Sequence, residues 1–122
     1  MFCLSCLWHG VVLNDFARIQ YPMPVFLGFL ALLYVVISLL MVVAFRYLNS
    51  PKSNYSKGSI IGVTTGGIVF LIAFVLGLSF TPNYEPIMAL MDFVWQIIEQ
   101  TSGGLVAAYA ITAIERREAF LN

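Results

Sequence analysis

Residues 24–45 read PVFLGFLALLYVVISLLMVVAF, twenty-two residues without a charge. Tyr34 and Ser38 are the only polar side chains in the run. A bilayer core of about 30 Å takes roughly 20 helical residues to cross, so this stretch is long enough to span. Pro22 and Pro24 stand at one end, where a missing amide donor costs little. Arg46 closes the other. The rest of the chain follows the same logic. Residues 59–80 form a second uncharged run, preceded by Lys57 and Gly58 and ended by the turn chemistry of Thr81-Pro82-Asn83. Residues 86–114 form a third, longer and more polar run. Its twenty-nine residues would extend about 43 Å as a helix, so it is tilted or begins in the headgroup region. Glu115, Arg116, Arg117 and Glu118 mark its exit into water.

Composition agrees. Of the 122 residues 61% are hydrophobic and 10% charged, against about 45–50% and about 25% in an average soluble domain. Six basic residues balance six acidic ones. This excludes a soluble globular domain, a disordered chain and a nucleic-acid binder with its basic excess. The expected fold is all-α: a polytopic transmembrane helical bundle in a single domain, with helices near 1–14, 24–46, 59–80 and 86–116. Three of these span. The N-terminal helix is short or partial, because thirteen apolar residues reach only about 20 Å. It has no basic leader and no small-residue cleavage site, so it does not read as a signal peptide. It reads as a short fourth membrane helix ending near Asn14, with a helix lying at the interface as the alternative.

Positive charge sets the orientation. Arg46, Lys52 and Lys57 lie in the 46–58 loop, and Arg116 and Arg117 in the C-terminal tail. Three crossings place both on one side, which is then cytoplasmic. The polar, turn-rich 47–58 stretch reads as a connection.

The second span carries small residues at helical spacing. Gly58, Gly62, Gly66, Ala73 and Gly77 fall within about 100° of arc. Small side chains let membrane helices approach closely, so this stripe is expected to be a packing seam within the chain, with self-association or a ligand path as alternatives. The third span offers a receiving patch in Ser102, Gly103, Gly104, Ala107, Ala108 and Ala113. The short 81–85 turn makes the two helices an antiparallel pair.

The third span also carries the main candidate site. Asp92, Gln96, Glu99 and Gly103 share one face within about 60°, and Glu85 extends the row. An Asp near the bilayer centre costs at least about 2.5–3.5 kcal/mol, so this face should point inward, with Glu99 deeper than Asp92. Such a row is either structural glue, a proton or cation relay, or a small-ligand site. His9 is a titratable candidate partner for it, and the hydroxyls of Thr64 and Thr65 are candidate contributors. Trp8, Tyr21, Tyr84 and Trp95 read as interfacial anchors, and Tyr34 and Tyr109 as deeper residues hydrogen-bonded inside the bundle.

Other chemistry is missing from the sequence. Cys3-x-x-Cys6 lacks the adjacent His of a haem attachment site, and with His9 it is short of the four ligands a structural zinc needs. The two cysteines read as helix-face residues, with reversible oxidation or acylation as the alternative. Gly66-Gly67 has no P-loop lysine, and no catalytic-triad, zincin or dinucleotide motif is visible. Two carboxylates seven residues apart are separated by about 10 Å along a helix, wider than the spacing in most glycosidase sites. The expectation is therefore a non-enzyme with no metal and no cofactor. Its partners would be the lipid bilayer and a second copy or a larger membrane protein, with no nucleic acid.

Trp8-His9-Gly10 followed by Asp15-Phe16, the glycines Gly62, Gly66 and Gly67, and the Gly103-Gly104 step together resemble a loose family of small four-helix bacterial membrane proteins known only as a domain of unknown function. The resemblance covers most of the chain. It implies a four-helix fold and a bacterial inner-membrane location, and no activity. The first helix is about half the length the resemblance implies, which leaves open a start upstream of Met1.

Overall fold

The computed structural model describes residues 1–12, 22–48, 54–76 and 86–121. All its regular structure is helical: α1 (Phe2–Leu7), running directly into a π-helical turn (Trp8–Val12), then α2 (Met23–Tyr47), α3 (Asn54–Val75) and α4 (Pro86–Leu121). No strand occurs among the described residues. The helices α2, α3 and α4 are each long and apolar enough to cross a membrane, whereas Phe2–Val12 is shorter. Large apolar side chains stand exposed on all three, among them Phe29, Leu39, Val75 and Val106. A water-soluble fold of this size rarely leaves such a continuous apolar exterior, whereas lipid requires one. The chain is an all-α membrane protein.

Two compact units divide the chain at residues 40 and 41. In the first, the Phe2 ring meets the Tyr34 ring edge-on, centroids 6.1 Å apart. Tyr34, Ile37 and Ser5 are buried. The start of α2 is set by Pro22, whose carbonyl accepts from the amides of Val25 (3.0 Å) and Phe26 (3.1 Å). Pro24 sits in the first turn, where no intrahelical acceptor is needed. Ser38 Oγ donates to the Tyr34 carbonyl at 2.7 Å, which satisfies the hydroxyl inside an apolar helix.

The second unit contains the end of α2 and the α3–α4 pair. The glycines of α3 fix the register. A Cβ on Gly62 would lie 2.5 Å from Thr101 Cα and 2.6 Å from the Gln100 carbonyl oxygen, and one on Gly66 would lie 2.7 Å from that of Gln96. Gly58 meets the backbone of Gly104 and the methyl of Ala108. As numbers rise along α3 they fall along α4, so the helices are antiparallel and touch backbone to backbone. At the far end Phe70 stacks on Phe74 and meets Phe93 edge-on, with centroids 5.7 and 5.1 Å apart.

Several sequence expectations need correction. The helix expected from residue 59 begins at Asn54, because the polar Asn-Tyr-Ser-Lys turn is helical although it is not apolar. The last helix continues to Leu121, since Glu115, Arg116, Arg117, Glu118 and Ala119 are helix formers in water as well as in lipid. At 36 residues it measures about 54 Å and outruns the bilayer core. Tyr109 is 66% exposed rather than internal. The N-terminal helix end near Asn14, the 81–85 turn, Glu85, Gly77, Tyr21 and Tyr84 lie outside the described residues.

Candidate functional site

Helix α4 positions the polar row. Within it Glu99 is fully buried, while Asp92 and Gln96 are half-buried. Gln100, the neighbour of Glu99, is fully buried as well. Gly103 is half-buried and Gly104 buried. His9 belongs to the other unit, half-buried in the π-helical turn. Thr64 is exposed and Thr65 half-buried on α3.

The seam and the polar row occupy different sides of α4. At about 100° per residue, Glu99 lies about 140° around the helix from Gly104, while Gln100 lies about 40° from it. Gln100 thus borders the seam, where the glycines of α3 present backbone and no side chain. Neither Oε1 nor Nε2 of Gln100 has a hydrogen-bond partner among the described residues, and the same holds for Gln96 Oε1 and Thr101 Oγ1. Nearby hydroxyls behave differently. Ser102 Oγ donates to the Glu99 carbonyl (2.6 Å) and Thr112 Oγ1 to the Ala108 carbonyl (2.8 Å). Buried polar groups are normally paired, so unpaired polar atoms on three residues within six positions are a chemical feature of this stretch of α4.

Gln100 and Thr101 lie outside the polar row expected from the sequence, which runs through 92, 96, 99 and 103, whereas the seam runs through 97, 101, 104 and 108. A stack at four-residue intervals, Gln96-Gln100-Gly104-Ala108, was available to find Gln100. The receiving patch also differs: Gly104 and Ala108 receive Gly58, but Gly62 and Gly66 meet the backbone of Gln96, Ile97, Gln100 and Thr101. Ala113 is exposed.

A second feature lies at the other end of the pair. Asn54 Nδ2 donates to Glu115 Oε2 (2.8 Å) and Thr112 Oγ1 (3.1 Å), tying the first residue of α3 to α4. Beside this tie, an open cavity of about 310 Å³ lies between the end of α2, the start of α3 and the last turns of α4. Cys3 is exposed and Cys6 half-buried. No group of three or more His, Cys, Asp or Glu able to hold a metal ion occurs among the described residues.

No protein-family model matches the chain, and neither a curated protein nor a solved structure matches it.

Proposed function

We propose that this chain is a non-catalytic structural or accessory protein of a membrane. The observation that carries this reading is the sealing of its deepest polar groups. Glu99 and Gln100 are each 0% exposed. The open cavity is lined instead by residues near Lys57 and Glu115, and Glu115 is sixteen positions along α4, about 24 Å from Glu99. A rigid, close-packed α3–α4 pair with an apolar exterior suits lateral association with a second copy or a larger membrane protein. The basic end, with Arg46, Lys57, Arg116 and Arg117, belongs in the cytoplasm by the positive-inside rule. The resemblance of Trp8-His9-Gly10 and the glycine steps to small bacterial membrane proteins favours the bacterial inner membrane.

The unpaired Gln100 amide, the Gln96 side-chain oxygen and the Thr101 hydroxyl favour a second reading, a minimal proton or cation pathway. Buried side chains of this kind are the usual lining of such routes. One experiment separates the two. Proton and cation flux is measured in proteoliposomes with matched amounts of wild type and Glu99→Gln. The structural reading expects no flux in either. Flux in wild type that Glu99→Gln abolishes would overturn it and establish the pathway. A reporter fused to the C-terminus tests the orientation, with activity expected only on the cytoplasmic side.

A further inference from the structure

The cavity at the basic end has an unusual charge arrangement. Arg46 and Lys57 supply two cations to its lining, and Glu115 and Glu118 two carboxylates. Among the described residues these opposite charges do not satisfy one another. Lys57 Nζ sits 5.8 Å from the centroid of the Phe45 ring, and Glu115 accepts from Asn54 through Oε2. No ion pair joins either cation to either carboxylate. Both signs therefore line one cavity without neutralising each other directly.

Its position narrows the ligand. Arg46 ends the uncharged run of α2 and Lys57 precedes that of α3, so the cavity lies at the boundary between hydrocarbon and water. There long basic side chains extend toward the headgroups. The first amides of α3 have no intrahelical acceptor and favour an anion on their side. Phe45, Ile111 and Ile114 add an apolar wall. A volume near 310 Å³ is at the small end of ligand pockets, about 300–1,000 Å³, and suits a headgroup more than a whole lipid.

We propose that this cavity holds a zwitterionic headgroup of the phosphoethanolamine class, its phosphate against Arg46 and Lys57 and its primary ammonium against Glu115 and Glu118. An anionic headgroup without an amine would gain the cations but meet two carboxylates, a repulsion that builds in selectivity. A choline headgroup carries the same charges but has no N–H to donate to the glutamates.

The test uses the full chain in nanodiscs containing equal parts of phosphatidylethanolamine, phosphatidylcholine and phosphatidylglycerol. Lipid retained on the protein is read by native mass spectrometry. Phosphatidylethanolamine is expected to be enriched several-fold over both others. Arg46→Gln with Lys57→Gln should reduce its retention about tenfold, the scale of losing charge-assisted hydrogen bonds. Glu118→Gln should narrow the preference over phosphatidylglycerol. Charge-conserving Arg46→Lys with Lys57→Arg should keep it, and circular dichroism confirms that each variant is helical. Soluble phosphoethanolamine added in excess identifies the source. Displacement of the lipid assigns the free compound, and persistence assigns the membrane lipid; both outcomes keep the headgroup chemistry. Equal retention of the three lipids by wild type, or undiminished retention in a helical double-glutamine variant, overturns the proposal.

Discussion

One side of α4 and the turn beside it are buried in opposite ways. Along the seam, Gly104 and Ala108 receive Gly58, and the stabilisation comes from backbone contact. One turn away, Gln100 is buried to the same degree but neither of its amide atoms is paired among the described residues. Between membrane helices close packing is the main source of attraction, because lipid is as apolar as the helices themselves. A buried amide without a partner works against that. The contrast separates what holds the α3–α4 pair together from what it carries at a cost.

The seam makes the strongest prediction. Gly62→Val places side-chain atoms where a single Cβ would already lie 2.5 Å from the α4 backbone. Backbone cannot swing aside as a flexible side chain can, so the helices must separate. The expected loss is about 3 kcal/mol, at the upper end of ordinary overpacking, read as a shift to lower detergent concentration in an SDS unfolding titration. Gly104→Val should behave alike, because a Cβ there already meets the Gly58 backbone farther along the same seam. A Gly62→Val protein that unfolds with wild type would break the seam half of the comparison.

Gln100→Met addresses the other half. Methionine keeps the length of the side chain and removes the polar atoms. Leaving a buried polar group unmade costs about 1–3 kcal/mol, so Gln100→Met is expected to stabilise the pair by about 1 kcal/mol in the same titration. Destabilisation would mean that the amide has a stabilising partner. Stabilisation without loss of function would fit the structural reading, and stabilisation that removed a measured flux would fit the pathway.

An effect of similar size and opposite sign is expected at the end of the pair. Asn54→Ala removes two donated bonds, to Glu115 and Thr112. At a partly solvated site the loss should be about 1 kcal/mol, with faster hydrogen exchange at the first amides of α3 as a local readout. Unchanged exchange would show that the tie does not anchor the helix start.

The spans were the most legible part of the molecule. A charge-free run such as 24–45 carries its meaning in length and composition, and the bilayer imposes both. The stripe of Gly58, Gly62 and Gly66 was legible for a related reason, since glycines four apart on an apolar helix have few uses besides close approach. The helix ends were less so: Asn54 and Leu121 extend their helices in water, where hydrophobicity stops reporting but helix propensity continues. Gln100 was hidden because a row of polar residues can be followed along more than one helical track. The one through Glu99 contains the charge, and the seam runs beside it without one. The cavity at Arg46 and Lys57 depends on three separate segments, and no local pattern brings those together.

The finest test of the comparison uses a glycine that the stripe excludes. Gly67 is adjacent in sequence to Gly66, but a Cβ there meets nothing within 4 Å. It lies about 100° around α3 from its neighbour, off the line of backbone contact. Glycine in a helix interior is less favourable than alanine by roughly 0.5–1 kcal/mol, because it loses more backbone freedom on folding. Gly67→Ala should therefore leave the α3–α4 contact intact and raise stability by about 0.5 kcal/mol, while Gly66→Ala should lower it. The two substitutions add the same methyl to adjacent positions of one helix, so propensity cancels between them and the difference reports steric space alone. Equal shifts in the titration would mean that α3 does not present Gly66 to α4, and the register assigned to the whole seam would be wrong.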